Sequence, residues 1–353
     1  MGKEQRRIGV TAGCPAGIGP EVLARAVAEA SLDDEVELLL FGPASLLVRG
    51  AEMAGIAVAQ SGEEVRLVSR WYERTVRCLG APSLERLPAP GRADDASLRF
   101  QKEALLEACR AAARGDVQAL VTGPIRKRAL QDVEGRSFPG QTELLHHYLK
   151  KDEGAPLMCF AGGPFVLGLA TVHLPLRDVP DAITEARLEH ALERLSEAAR
   201  VVRARDSKQD GAKEAVRVVV FGLNPHAGEE GLLGDEERRV IAPWIEQVRA
   251  EGAMAGSVEL EGPVGADGFF GAVHRTSEQE LPDAVLAMFH DQGLAAYKVL
   301  AEGRGVNLTW GLRVPRASPD HGTADGLAGT GRADASSMAS ALELATRLAA
   351  RGD

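Results

Sequence analysis

Aromatic residues are scarce in this chain of 353 residues, of which only 4% are Phe, Trp or Tyr. Single-stranded nucleic acid is bound by stacking on exposed aromatic side chains, and the net charge of −10 also repels a polyanion. Nowhere do about 18 apolar residues follow one another, and the N-terminus lacks the apolar segment of a secretory signal. The four cysteines lie far apart without a CxxC pair, which is typical of a reduced, cytoplasmic protein. We therefore expect neither nucleic acid nor membrane as a partner.

Short apolar runs alternate with longer amphipathic stretches along most of the chain. Most runs are apolar on both faces, which predicts an α/β protein with a largely parallel sheet covered on both sides. The predicted strands are Arg7–Ala12, Val36–Phe41, Val117–Thr122, Pro156–Ala161, Val166–Val172, Val216–Phe221 and Ala284–Phe289. The predicted helices are Pro20–Ala30, Leu98–Arg114, Glu185–Ala204, Asp235–Glu251 and Ala335–Ala350.

Two strand ends run into unusual loops. The first is the glycine-rich segment 11–21, which lacks the GxGxxG spacing of a standard dinucleotide fold. It predicts either an anion site at the start of a helix or a purely structural strand-to-helix turn. The second is the segment 122–127, TGPIRK, where two basic residues oppose the dipole of a following helix. They indicate an anionic ligand or solvated surface charge.

Three histidines follow predicted strands within a few residues: His173, His226 and His290. In parallel α/β folds the carboxyl ends of the strands meet at the ligand crevice. Three imidazoles there predict a catalytic divalent-metal site, although any one of them alone is more often an ordinary loop residue.

Acidic, amide and basic groups follow the third histidine. Asp291 is its neighbour and is placed to orient an imidazole or to accept a proton. Lys298, Asn307 and Arg316 come next, and the two cations offer the local positive charge that an acidic protein needs for a phosphorylated or carboxylated substrate. Either cation alone is equally compatible with solvated surface charge.

Nine motifs in order give the sequence a specific resemblance. The chain resembles the 4-hydroxythreonine-4-phosphate dehydrogenase family from about Arg7 to Ala350, in GCPAGIGPE, VTGPIRK, FPGQTELL, ATVHLPLRD, GLNPHAGE, GPVGADGFF, MFHDQGL, GRGVNLTWGL and DHGTA. The resemblance implies oxidation and decarboxylation of 4-phosphooxy-L-threonine to 3-amino-2-oxopropyl phosphate, on the route to pyridoxal phosphate. It implies NAD or NADP as cofactor and one divalent metal per subunit, zinc, magnesium or cobalt.

The resemblance also assigns residues. It makes His173, His226 and His290 the metal ligands, shared across a homodimer. Substrate-binding positions match Gln141, Thr142, Lys298, Asn307 and Arg316. Asp267 and Asp291 match carboxylates near the site and are the candidate catalytic residues.

A fold follows from the same resemblance. We expect a two-domain α/β/α sandwich similar to isocitrate and isopropylmalate dehydrogenases, with the active site in the cleft between the domains. Residues 1–130 with 305–353 are expected to form the first domain. Residues 131–304 are expected to form the second, with the metal site and the dimer interface.

Two departures from the family pattern widen the range of possible functions. Gln141 stands where the family usually has histidine, and Cys14 stands where it usually has an acidic residue. The changes favour, as a second hypothesis, a dehydrogenase of 4-phospho-D-threonate or 4-phospho-D-erythronate. A three-histidine metallohydrolase of phosphate esters and a catalytically silent binding protein are also compatible with these residues.

Overall fold

The computed structural model describes residues 6–33, 35–80, 82–203, 215–251 and 257–350. In this part of the chain the strands are β1 (Arg6–Thr11), β2 (Val36–Leu40), β3 (Ala57–Ser61), β4 (Glu64–Val68), β5 (Glu73–Cys78), β6 (Ala119–Thr122), β7 (Leu157–Ala161), β8 (Val166–Leu169), β9 (Val216–Phe221), β10 (Val258–Val264), β11 (Ala284–Ala287), β12 (Val306–Trp310) and β13 (Arg316–Pro319). The α-helices are α1 (Gly19–Glu29), α2 (Ala44–Ala54), α3 (Asp95–Arg114), α4 (Gln141–Leu149), α5 (Val179–Ala182), α6 (Glu185–Arg203), α7 (Ala242–Glu251), α8 (Ala266–Ala272), α9 (His290–Leu300) and α10 (Ser336–Ala349). None of the described helices is both long and apolar enough to cross a bilayer.

The chain forms two compact units, Met1–Pro156 with Gly303–Asp353, and Leu157–Glu302. The sequence placed the boundaries at 130/131 and 304/305. Residues 131–156 instead belong to the first unit, because Leu144, Leu145 and Leu149 of α4 pack into its hydrophobic core with α3.

The first unit holds strands in the order β12-β13-β6-β1-β2-β5-β4-β3. The strands from β13 to β5 run parallel, whereas β12 pairs antiparallel with β13 and the hairpin strands β3 and β4 pair antiparallel beside β5. The second unit holds the order β10-β9-β11-β8-β7, parallel except for β7. The predicted α/β class with largely parallel strands is confirmed.

All seven predicted strands and all five predicted helices are present, although the predicted helix end at Ala204 lies outside the described residues. Strands β3 to β5 were not predicted, because their sequences are not continuous runs of apolar residues. In β4, for example, Val65 and Leu67 are buried while Glu64, Arg66 and Val68 are exposed. This alternation of buried and exposed residues marks a sheet that faces solvent on one side.

Close helix packing fixes the start of α1. A Cβ atom at Gly50 of α2 would overlap the carbonyl oxygen of Pro20, so only glycine fits at this crossing. Pro20 lies in the first turn of α1, where its missing N–H costs no hydrogen bond. The glycine-rich loop before α1 therefore leads into a helix that is held directly against α2.

Candidate active site

The second unit brings the carboxyl ends of three parallel strands together. Strand β11 pairs in parallel with both β8 and β9, so the loops that follow them leave the sheet at one edge. Gln292 joins two of these loops, because it accepts from Met288 N at 2.7 Å and donates to Gly222 O at 2.6 Å. Thr171 Oγ1 donates to Met288 O at 2.7 Å, which connects the third loop to the other two. The edge that carries the three histidines is therefore cross-linked by hydrogen bonds.

Two of the predicted metal ligands lie side by side at this edge. The ring centroids of His173 and His290 are 6.1 Å apart. Nδ1 of His290 lies 2.6 Å from a carboxylate oxygen of Asp291. A carboxylate at that distance holds the proton on Nδ1 and leaves Nε2 as the ligating nitrogen, the usual arrangement behind a metal-bound histidine.

His226 lies in a different side-chain cluster. Its Nδ1 is 4.0 Å from a carboxylate oxygen of Asp267, and both side chains are exposed. Within the described residues, no group of three or more His, Cys, Asp or Glu side chains is close enough to hold a metal. Within one chain, therefore, two of the three predicted metal ligands lie next to each other. The two predicted catalytic carboxylates lie beside different imidazoles, Asp291 beside His290 and Asp267 beside His226.

The backbone at His226 is left-handed. Residues His226 to Glu230 have φ between 42° and 80°, and only Gly228 among them is glycine. This conformation costs an L-residue roughly 1–2 kcal/mol. Strain of this kind persists where the surrounding structure fixes it, often at a functional site.

A buried cation marks a second candidate site, in the first unit. Arg316 is 3% exposed, and its Nε donates to Thr122 Oγ1 at 2.8 Å while Nη1 lies 3.4 Å from Thr309 Oγ1. Burial lowers the pKa of Arg316 to about 10, and the charge of Glu143 offsets only part of this effect. A guanidinium in this state is prepared to receive an anion.

Two acceptor oxygens without hydrogen bonds accompany Arg316. Asn307 lies two residues before Thr309 on β12, hence on the same face of the sheet, and its Oδ1 is buried without a partner in the described structure. Gln141 donates from Nε2 to Gly123 O at 3.3 Å, which leaves its buried Oε1 equally unsatisfied. Both oxygens are therefore available to accept hydrogen bonds from a donor group.

The remaining predicted substrate residues take separate positions. Thr142 is partly exposed in the first turn of α4, a helix whose N-terminus has no side-chain cap. Lys298 is exposed on α9 in the second unit. It follows Asp291 by seven residues, which places both on one face of the helix, about 10 Å apart along its axis.

The glycine-rich loop does not present a free helix N-terminus. Ile18 N donates to Thr323 O at 3.0 Å, and the carboxylate of Glu21 is buried in the first turn of α1. A buried carboxylate repels an anion there. The structure therefore favours a structural role for this loop, which supports the segment 320–335.

Arg126, in the basic segment 122–127, is paired with a carboxylate from a distant part of the chain. Arg126 Nη2 lies 2.5 Å from Asp325 Oδ2, 199 residues away. Burial lowers the pKa of Arg126, but Cys14 and Asp325 outweigh it and the net shift is upward. The sequence singled out the segment 122–127 but not the partners of Arg126 and Thr122, because Asp325 and Arg316 lie 199 and 194 residues away.

Comparison with known proteins decides the family. The family model described as pyridoxal phosphate biosynthetic protein PdxA matches residues 34–345. The chain belongs to the PdxA family. The resemblance seen in the nine motifs is confirmed.

Named relatives cover the whole chain. A 4-hydroxythreonine-4-phosphate dehydrogenase from Thioalkalivibrio sulfidiphilus is 39% identical over 345 residues, which is 97% of each chain. One from Azoarcus sp. (strain BH72) is 40% identical over 347 residues, covering 97% of this chain and 96% of its own. The crystal structure of the Klebsiella pneumoniae enzyme of that name superposes with a TM-score of 0.74 at 32% identity, covering 98% of this chain and 99% of its own. The expected enzyme class, a dehydrogenase, agrees with these relatives, and the metallohydrolase hypothesis loses its support.

Proposed function

We propose that this PdxA-family protein oxidises and decarboxylates 4-phosphooxy-L-threonine with NAD or NADP, yielding 3-amino-2-oxopropyl phosphate for pyridoxal phosphate biosynthesis. The observation that supports it is the buried Arg316, held by two threonine hydroxyls in the unit that also contains the buried acceptor oxygens of Gln141 and Asn307. A phosphate or carboxylate supplies the missing negative charge. The hydroxyl or ammonium of the substrate supplies the missing donors.

The substrate anion is bound by charge-assisted hydrogen bonds in this proposal. Arg316 contributes a planar pair of N–H donors, the geometry suited to phosphate or carboxylate. Thr142 adds a hydroxyl and the uncapped start of α4, and Asn307 fixes the orientation. Lys298, on α9 of the second unit, is the other cation that the resemblance assigns to substrate binding. Local positive charge of this kind is what a protein of net charge −10 needs in order to bind an anion.

The imidazoles at the strand edge suit one divalent metal ion such as zinc or cobalt, whereas magnesium, which the resemblance also allows, prefers oxygen ligands. His173 and His290 of one subunit would hold it together with His226 of a second subunit, because one chain does not bring the three together. The metal would supply Lewis-acid stabilisation of negative charge on substrate oxygens. Asp291 keeps the proton on Nδ1 of His290 and so presents Nε2. Asp267 is the second carboxylate that we propose for proton transfer, since it is exposed beside His226.

The segment 320–331 would hold the nicotinamide cofactor, NAD or NADP, which would supply the acceptor for the hydride of the substrate carbon that bears the hydroxyl. This segment lies on the glycine-rich loop, since Gly17 has no room for a Cβ beside Thr323. His321 Nε2 and Asp325 Oδ1 are buried there without hydrogen bonds in the described structure. Such atoms suit the hydroxyl groups of a ribose. In this proposal Asp267 takes the hydroxyl proton as the carbonyl forms, and the enolate left when carbon dioxide is lost takes up a proton to give the ketone.

Gln141 favours a second candidate substrate, 4-phospho-D-threonate or 4-phospho-D-erythronate. Glutamine cannot carry a positive charge, and its Oε1 accepts equally well from a hydroxyl or an ammonium group. A sugar acid without the amino group therefore satisfies the same oxygen.

The test compares nicotinamide reduction on the three substrates with purified, metal-loaded protein. We expect the absorbance of reduced nicotinamide to appear with 4-phosphooxy-L-threonine, together with release of carbon dioxide. Reduction only with the sugar acids would transfer the proposal to the second candidate. Release of inorganic phosphate without reduction would overturn both.

We further propose that the protein is a cytoplasmic homodimer. The reason is the division of the metal ligands described above. The four cysteines are all buried and free, which suits a reducing compartment.

A further inference from the structure

The turn that carries His226 is built around a buried carboxylate. Glu237 is 5% exposed, and both of its oxygens accept hydrogen bonds from one residue. Asn224 N donates to Oε1 at 2.7 Å, and Asn224 Nδ2 donates to Oε2 at 2.9 Å. Asn224 stands two residues before His226, so Glu237 fixes the backbone just where the turn begins. Glu236 at the rim accepts a further bond from Asn224 Nδ2 at 2.6 Å.

Three glycines enclose this pair of side chains. A Cβ atom at Gly222 would lie 2.9 Å from Glu237 Oε1, and one at Gly228 would lie 2.6 Å from Oε2. A Cβ atom at Gly234 would overlap the amide of Asn224. The backbone thus packs onto the Asn224–Glu237 pair from three sides, and the carboxylate has one position available to it.

The carboxylate of Glu237 lies between two stretches of backbone with irregular geometry. On one side is the left-handed stretch from His226 to Glu230, with four residues that are not glycine. On the other side, Glu237 is the first residue of the π-helical turn Glu237–Ile241, a rare geometry that recurs at functional sites. A strained backbone conformation persists only where surrounding contacts hold it in place. Glu237 makes such contacts at Asn224, where the turn begins, and at Gly228.

We propose that Glu237 is the positioning residue of His226, holding the strained turn in the conformation that presents the imidazole to the metal. An ionised carboxylate accepts both N–H groups of Asn224, whereas a glutamine amide accepts one and turns its own NH₂ toward the other. The inference rests on the proposed function, which makes His226 a metal ligand. It concerns a residue that never touches metal or substrate.

The test titrates metal-free protein with Co²⁺, followed by calorimetry and by the visible absorption of the bound ion. Glu237→Gln is expected to lower the Co²⁺ affinity about 10- to 100-fold, the usual effect of losing a group behind a metal ligand. At saturating Co²⁺ the kcat is expected to return to within a few-fold of wild type. The matched control is Glu246→Gln, an exposed carboxylate on α7 paired with Arg249, and its affinity is expected to stay within two-fold.

A second readout does not depend on metal. Hydrogen–deuterium exchange of residues 222–232 in the metal-free protein is expected to accelerate in Glu237→Gln and not in Glu246→Gln. Asn224→Ser keeps the backbone bond to Glu237 and removes the side-chain bond, so it is expected to shift both readouts in the same direction by less. If Glu237→Gln does not fold, both measurements are made on Asn224→Ser instead.

The outcomes separate the inference from the proposed function. Unchanged Co²⁺ affinity in the Glu237 and Asn224 variants overturns the inference, and it does so even if exchange accelerates, because the role is then only structural. If the wild-type protein binds no Co²⁺, the proposed metal site is wrong and this inference fails with it. That failure is seen in the wild-type titration alone, without any variant. Lower affinity together with faster exchange supports the positioning role.

Discussion

At the scale of single residues, Arg316 shows a conflict between stability and function. Its guanidinium is buried, and hydroxyl groups rather than carboxylates receive its hydrogen bonds. Burial lowers its pKa to about 10, a shift that corresponds to roughly 3 kcal/mol of disfavoured charge. The free protein bears this cost, and an anionic ligand relieves it.

Replacing Arg316 separates the two effects. Arg316→Met is expected to lower kcat/KM for the phosphorylated substrate by the equivalent of about 2–4 kcal/mol, since the anion loses its buried partner. Thermal denaturation is expected to give an unchanged or higher Tm, because an apolar side chain removes the uncompensated charge. The control is Arg313→Met, an exposed arginine that bonds only a carbonyl oxygen, Ala113 O. A variant that turns over substrate normally would place the anion pocket elsewhere.

The pH dependence of the same group has a defined sign. The folded pKa of about 10 lies below that of the unfolded chain, so at a pH between the two values the unfolded state binds more protons. This group therefore destabilises the protein fully below about pH 10, and its penalty fades as the pH rises above that value. Affinity for the anion moves the opposite way, and kcat/KM is expected to fall as the pH passes about 10. Kinetics from pH 8 to 11 measure this, and Arg316→Met should lack the decline.

At the scale of elements, the crossing of α1 and α2 sets the position of the glycine-rich loop. Gly50 allows the two helices to touch backbone to backbone at Pro20. Arg49, next to it, reaches outward from α2 and donates to the carbonyl oxygens of Pro88 and Pro15. The helix pair thus supports two loops that contain no regular structure of their own.

Adding one methyl group at this crossing is expected to be costly. Gly50→Ala must push α1 away from α2, because the obstacle is a backbone oxygen and cannot rotate aside. The expected loss is about 1–3 kcal/mol, the range for overpacking, visible as a Tm several degrees lower. Gly268→Ala in α8 is the matched control. Its Cβ meets nothing within 4 Å, and alanine favours the helix, so its Tm should be equal or higher. Equal effects of both changes would contradict the packing argument.

At the scale of the whole molecule, the distribution of the histidines is the basis of the proposed homodimer. His173 and His290 are neighbours within one chain, whereas His226 is grouped with Asp267. A two-fold symmetric dimer builds two identical sites from one such arrangement.

Complementation tests this assembly. His226→Ala and His290→Ala are each expected to be inactive and folded, because an exposed or half-exposed loop imidazole contributes little packing. After subunit exchange, the mixed dimer is expected to regain one of its two sites, since one site carries both lesions and the other neither.

The control mixture is His173→Ala with His290→Ala. These two ligands come from the same chain, so every site of the mixed dimer keeps one lesion and no activity should return. Recovery in the control, or none in the first mixture despite demonstrated exchange, would contradict the shared site.

The sequence by itself determined what depends on neighbouring residues. Apolar runs located seven of the strands, because burial on both faces leaves a local signature. The position of His173, His226 and His290 after strands placed all three near strand ends, and the ordered motifs identified the family. The hairpin strands β3 and β4 were missed because β3 is largely exposed and β4 alternates exposed with buried residues, so neither is an apolar run.

Only the tertiary structure decided which distant groups meet. Arg316 finds Thr122 because β13 pairs with β6 in a register that joins residues 194 positions apart. Arg126 meets Asp325 across 199 residues, so one of the two cations that suggested a ligand is paired internally. His226 lies beside Asp267, which is 41 positions away in the chain. Sequence periodicity reports which side of an element is buried, whereas strand register and loop conformation are set by packing between elements far apart in the chain.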